Sequence, residues 1–188
     1  GARVLSEILP AALVALPRDL RNRLIVTQQA REEDLEAVRK TYEGSGIDVT
    51  LASFIDDIPE RLRDCHLVIA RSGASTVAEL TAAGRPALLV PLPSAIDDHQ
   101  RFNAQQVEEA GGAWLMSQDR FTIEILSERL TKLLQNPAAL TRAAKAAKAT
   151  GRPNAAERLA DMVLDLLGLN PAGSPDNDNM TKKDPQKV

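Results

Sequence analysis

The sequence predicts an α/β fold, a parallel sheet covered by helices on both faces, and three observations predict it. Short apolar runs such as Leu67-Val68-Ile69-Ala70 and Pro86-Ala87-Leu88-Leu89-Val90-Pro91 read as strands buried on both sides. Stretches of helical periodicity follow them, giving the strand, crossover helix, strand order that parallel pairing requires. Small-residue turns separate the elements, the clearest being Arg71-Ser72-Gly73-Ala74-Ser75-Thr76 after the Leu67–Ala70 run.

Taken in order, Val4, Leu5, Ile8 and Leu9 give helical spacing from the start of the chain. An α/β domain usually enters such a helix from a strand and a tight loop, so the opening reads as a piece cut just after a glycine-rich turn. Arg23–Thr27 reads as a strand. Arg31–Tyr42 reads as a helix with acids first and bases last, suiting the helix dipole, and it stops near Gly44 and Gly46. Asp48–Leu51 is the next strand, Asp57–Asp64 a short helix, and Leu67–Ala70 the third strand. Leu80–Gly84 reads as a short helix closed by glycine, and Pro86–Pro91 as the fourth strand. The helix Asp98–Ala110 and the strand Ala113–Met116 follow, and then helices over Ile123–Leu134, Pro137–Ala149 and Asn154–Leu167. Residues 1–168 form the predicted domain. Residues 169–188 form a predicted disordered tail, with Pro171, Gly173, Pro175 and Pro185 and only Met180 and Val188 as sizeable apolar groups.

Composition narrows the function classes. The 188 residues are 44% hydrophobic and 26% charged, as in an ordinary globular protein. The net charge of −3 and 3% aromatic content give neither a basic stripe nor a stacking surface for nucleic acid. The single Cys65 excludes an internal disulfide framework and suits a reducing compartment. No apolar stretch reaches the roughly 18 residues of a spanning helix, so the expectation is a soluble, cytoplasmic domain. Cys65-His66 has no second ligand pair, and Asp56-Asp57 and Asp97-Asp98 are too sparse for a cation site; neither metal nor cofactor is expected.

In such sheets ligands lie beyond the C-terminal strand ends. Three loops leave those ends here, Ser53–Asp57, Arg71–Thr76 and Leu92–Gln100, and their side chains can converge on one crevice. The turn after the third strand offers main-chain N–H groups and a positive helix end to an anion. Glu79, placed in the first turn of that helix, could accept from a ribose diol. Thr76-x-x-Glu79 also fits a capping box, in which case Glu79 needs no ligand. Gly73 serves equally a tight turn or the close approach of a phosphate. Asp97-Asp98 reads as a helix N-cap followed by solvated residues, or else His99 and Gln100 hydrogen-bond sugar hydroxyls. No residue near His99 in sequence reads as the orienting member of a triad, and Ser72 and Ser75 have no base at recognisable spacing, so no nucleophilic triad is read. Phe54 and Ile55 are core residues by default, although one could cover a base. Arg142, Lys145 and Lys148 read as the wet face of an alanine-rich helix.

Four segments occur in order: Phe54-Ile55-Asp56-Asp57, Arg71-Ser72-Gly73-Ala74-x-Thr76-Val77-x-Glu79, Ala83-Gly84-x-Pro86-Ala87 and Asp98-His99-Gln100-x-x-Asn103-Ala104. Together they resemble the C-terminal domain of the MurG family, bacterial transferases that add N-acetylglucosamine to lipid I. Gly1-Ala2-Arg3 is similar to the end of that family's Gly-Gly-Ser-Gln-Gly-Ala phosphate loop, and the resemblance runs from Gly1 to about Leu167. It implies a GT-B architecture of two Rossmann-like domains, of which this chain is the second. It implies Ile55 at the uracil, Ala74, Ser75, Thr76, Val77 and Ala78 along the diphosphate and nucleoside, Glu79 on the ribose, and Gln100 on the sugar with His99 close by.

The same resemblance implies metal-free transfer with inversion at the anomeric carbon, helix N-termini stabilising the departing UDP. The donor would be UDP-N-acetylglucosamine. The acceptor would be undecaprenyl-pyrophosphoryl-muramoyl-pentapeptide (lipid I), converted to lipid II for peptidoglycan at the inner face of the plasma membrane. Acceptor and membrane contacts, and every catalytic residue, would belong to an N-terminal domain outside this chain. The chain alone is therefore expected to bind donor weakly and to catalyse nothing. Two alternatives remain open on the sequence alone: a UDP-binding subunit of a split two-chain glycosyltransferase, and a UDP-sugar 2-epimerase domain. The epimerase would need acids and histidines around the sugar, for which His99 is the one candidate.

Overall fold

The computed structural model describes residues 2–93, 98–152 and 155–167. By its contacts the chain divides into Gly1–Arg152 and a second unit from Pro153 onward. The first unit opens with α1 (Arg3–Val14) and the one-turn α2 (Arg18–Arg21). The alternation then runs β1 (Ile25–Gln29), α3 (Leu35–Tyr42), β2 (Asp48–Ala52), α4 (Ile58–Asp64) and β3 (Val68–Ala70). It continues with α5 (Ala74–Ala83), β4 (Ala87–Leu89), α6 (His99–Glu109) and β5 (Ala113–Leu115), and closes with α7 (Ile123–Leu134) and α8 (Pro137–Thr150). The second unit contributes α9 (Ala155–Leu166).

All pairings are parallel, as expected, but the hydrogen-bonded ladder forms two blocks rather than one continuous sheet. β1 pairs with β2, with Ile25 opposite Asp48, and β3-β4-β5 form a three-stranded block with Ile69 opposite Leu88 opposite Trp114. Apolar runs specify strands but not which edges meet, because ladder partners lie far apart in sequence.

Strand period places the core. Leu88 and Val90 join Leu9, Leu13, Leu126 and Leu130 on the face covered by α1 and α7, whereas Ala87 and Leu89 join Leu80, Ala104 and Val107 on the face covered by α5 and α6. β4 is thus buried on both sides, and Leu88 and Val90 are fully inaccessible. Val26, Val49 and Ile69, from both blocks, pack on the same α1 side. Burying a side chain such as Leu88 contributes about 1.5–3 kcal/mol.

A glycine cap fixes the far end of α5. The helix ends at Gly84, whose φ of +67° closes it through Gly84 N–H to Thr81 O at 3.1 Å and Arg85 N–H to Leu80 O at 2.9 Å. A Cβ there would meet Lys148 at 3.0 Å, and Lys148 donates to Ala82 O at the same helix end. The α8 reading holds: Ala143 and Ala147 are buried, and Arg142, Lys145 and Lys148 are exposed. At the end of α3, Tyr42 Oη donates to Oε1 of the buried Gln28 on β1 at 2.7 Å, and burial pushes the phenol pKa up. The predicted tail lies outside the described residues, as does Asp97 of the predicted N-cap pair.

Candidate functional site

The C-terminal end of β3 runs into α5 through Arg71, Ser72 and Gly73. Gly73, not Thr76, is the N-cap of α5, and no side chain caps it. This corrects the capping-box reading. Thr76 lies inside the first turn and Glu79 falls in the second, not the first, so neither has the position a capping box requires. Glu79 is exposed and makes no hydrogen bond or ion pair among the described residues. The first bond into the helix is Val77 N–H to Gly73 O at 3.0 Å. The N–H groups of Ala74, Ser75 and Thr76 have no partner among the described residues, and Ala74 and Ser75 are exposed. Ten residues of helix aim a positive dipole end at that spot.

Gly73 itself answers one of the open alternatives. Its φ of −60° and ψ of 151° suit any residue, and a Cβ would find nothing nearer than Thr76 Oγ1 at 3.9 Å. The turn therefore does not require glycine, and the open space faces the uncapped helix end.

Hydrogen bonds join this turn to the loops after β4 and β5. Ser72 is fully buried, and its Oγ donates to Gln100 O at 2.7 Å while Asn103 Nδ2 donates to Ser72 O at 3.1 Å. Leu92 N–H donates to Gln100 Oε1 at 3.1 Å, leaving the amide nitrogen of Gln100 as its outward donor. Arg71 Nη1 donates to Val90 O at 3.0 Å and Pro91 O at 2.9 Å, and Nη2 to Gln118 Oε1 at 2.6 Å. One guanidinium thus ties the C-terminal ends of β3, β4 and β5. Its Nε is buried without a partner, burial lowers its pKa, and among the described residues no carboxylate is bonded to it.

His99 and Gln100 open α6, whose N-cap Asp98 has φ 56° and bonds no N–H with its side chain. Asp98 is the one non-glycine residue at positive φ among the described residues. The left-handed region is tolerated by Asp and turns the chain sharply into His99, which is exposed. Phe54 and Ile55 lie past the end of β2, in the other strand block. Phe54 is 75% exposed, so the core reading fails for it, and Ile55 is half-buried. Asp57 pairs with Arg61 at 2.9 Å, and among the described residues no three His, Cys, Asp or Glu side chains gather closely enough to hold a metal.

The glycosyltransferase family 28 C-terminal domain matches residues 1–159. The chain belongs to that family. A UDP-N-acetylglucosamine–N-acetylmuramyl-(pentapeptide) pyrophosphoryl-undecaprenol N-acetylglucosamine transferase of Paramagnetospirillum magneticum is 60% identical over 167 residues, covering 89% of this chain and 45% of the relative. The transferase of the same name from Caulobacter vibrioides is 49% identical over 163 residues, covering 87% and 45%. The crystal structure of Acinetobacter baumannii MurG superposes with a TM-score of 0.78 at 32% identity, covering 88% of this chain and 47% of that one. The glycosyltransferase VinC, solved in complex with dTDP, shares the fold at a TM-score of 0.61 and 18% identity, covering 89% and 39%. The chain spans about half the length of the curated relatives it matches.

In this family 28 domain, the structure brings Ala74–Glu79 and Gln100 together through Ser72, Asn103 and Leu92. It places Ile55 on the neighbouring block, at a strand end of the same sense. Sequence reasoning missed Gln118 and the bridging use of Arg71. Their side chains meet across 47 residues, and a Gln after a short strand carries no local signal.

Proposed function

We propose that this chain is the donor-binding half of an inverting N-acetylglucosaminyltransferase that uses UDP-N-acetylglucosamine and lipid I to make lipid II. The observation that carries the reading is the N-terminus of α5, uncapped by any side chain and reached through a glycine that the backbone does not need. A diphosphate placed there accepts from the N–H groups of Ala74, Ser75 and Thr76, with the Arg71 charge behind the turn. Val77 and Ala78 continue that wall. Glu79, without a partner among the described residues, accepts from the ribose hydroxyls, and the half-buried Ile55 covers the uracil. The Gln100 amide nitrogen donates to the sugar, and exposed His99 stands beside it.

As the acceptor hydroxyl attacks the anomeric carbon, giving its proton to a base assigned to sequence outside this chain, the bond to the β-phosphate oxygen breaks and charge grows on UDP. Fixed N–H donors and the helix dipole interact more strongly with the added charge of the departing UDP than with the diphosphate of the intact donor, and this difference lowers the barrier. The names of the relatives support the donor and acceptor assignment. No described helix is long and apolar enough to cross a membrane. Acceptor and membrane contact, at the inner face of the plasma membrane, are assigned to sequence outside this chain.

Calorimetric titration with UDP and UDP-N-acetylglucosamine tests the reading. We expect weak donor binding by the isolated chain and lipid II formation by the protein carrying the partner domain. Tight binding by the isolated chain overturns only the expectation of weak affinity; turnover by the isolated chain, or donor binding indifferent to Glu79→Ala in the complete protein, overturns the reading.

A further inference from the structure

A cavity of about 320 Å³ opens between the end of β5 and α7. Leu115, the buried Met116 and Ile125 give it an apolar floor. Arg120, Arg129 and Lys132 stand around it with a single carboxylate, Glu128. Lys132 Nζ lies 2.5 Å from Glu128 Oε1, and that contact holds the Glu128 carboxyl below its usual range. Asp119, beside Arg120, is held low by a hydrogen bond from Ser117. Two of the cations therefore have an acid nearby. Arg129 is different: it is half-buried and makes no hydrogen bond or ion pair among the described residues.

We propose that this cavity binds a phosphate ester carried on an apolar body, the phosphate on Arg129 and the body on Leu115, Met116 and Ile125. A partly desolvated guanidinium without a counterion is unfavourable, and a phosphate relieves it with paired N–H donors in the geometry its fork presents. Arg120 and Lys132 add positive potential at the mouth. Glu128 works against an anion, but its pairing with Lys132 cancels much of that field over a few ångströms. The volume lies at the small end of the range of ligand sites, about 300 Å³, and suits a headgroup with the first carbons of a chain. A lipid headgroup and a soluble phosphate ester share this chemistry.

The single tryptophan, Trp114, precedes Leu115 on β5, so its emission offers a first readout. Titrating the chain with monomeric dihexanoyl phosphatidylglycerol, glycerol phosphate and inorganic phosphate separates the sources, with calorimetry as a second readout. We expect saturable binding of the short-chain lipid, at least about tenfold tighter than inorganic phosphate and weakened about tenfold or more by Arg129→Gln. A thermal melt of R129Q matching the parent shows that the loss is not unfolding, and Arg129→Lys restores part of the affinity. Unchanged binding by R129Q overturns the site. Equal affinity for glycerol phosphate and the lipid overturns the apolar body. A response to anionic vesicles alone, with none to the monomer, overturns the cavity in favour of a surface attraction.

Discussion

Gln100 Oε1 accepts the main-chain N–H of Leu92 at 3.1 Å, and this bond decides which end of the amide is offered to a ligand. Because a backbone N–H can only donate, the carbonyl end of Gln100 is committed and the –NH₂ points away as a donor. Ser72 holds the same residue by its main-chain oxygen at 2.7 Å. Gln100→Glu keeps the acceptor and removes the donor. In the complete protein it should weaken UDP-N-acetylglucosamine about tenfold while leaving UDP nearly unchanged, as read by paired titrations. Equal losses for both ligands would remove Gln100 from the sugar.

Glu79→Ala separates ligand from cap. The carboxylate is exposed, in the second turn and unbonded among the described residues, and Ala is the better helix former. Thermal stability should hold or rise slightly rather than fall by the ~1 kcal/mol of a lost cap. UDP affinity of the complete protein should drop about tenfold or more. A stability loss with intact affinity would contradict the ribose assignment.

Gly73→Ala makes a matching test at the phosphate. With φ at −60° and 3.9 Å of clearance, the added methyl should not disturb folding. It should obstruct a group brought against the N–H donors of Ala74 and Ser75, so donor binding falls while the melting temperature stays.

Arg71→Met probes the bridge across the strand ends. It leaves Val90 O, Pro91 O and Gln118 Oε1 without their donor, which should cost about 1–3 kcal/mol in denaturant unfolding. Gln118→Ala should cost less, because the two carbonyl bonds of Arg71 survive. A neutral R71M would show that water replaces the guanidinium freely.

Tyr42 predicts an alkaline limit. Its pKa is raised by burial, so the folded state keeps the phenolic proton when the unfolded chain loses it near pH ~10. The stabilisation is complete below that pH, and stability declines as pH rises above it. Tyr42→Phe, though it loses the bond to Gln28, should flatten the decline in unfolding experiments from pH 9 to about 11.

Legibility in the sequence varies by element. β4 could be read because Ala87–Leu89 is apolar at every position, the pattern of a strand buried on two faces. The start of α5 could not. Ala74-Ser75-Thr76 carries no periodic apolar signal, and looking for a side-chain cap points to Thr76, whereas the helix begins at an uncapped glycine. Phe54 reads as core because it is aromatic and follows a strand, yet it stands 75% exposed beyond the end of β2.

The alternation of strands and helices, the parallel sense of the pairing and the small-residue turn after β3 are legible in the chain's local pattern. Those follow from local patterning, side-chain volume and the connection lengths of neighbouring elements. Long-range packing settles that Glu79 and the first three N–H groups of α5 lack partners among the described residues, that Gln100 presents a donor, and that Arg71 reaches Gln118. The physical reason is that a hydrogen-bonding group is free or committed according to what the fold packs beside it, and those neighbours come from distant parts of the chain.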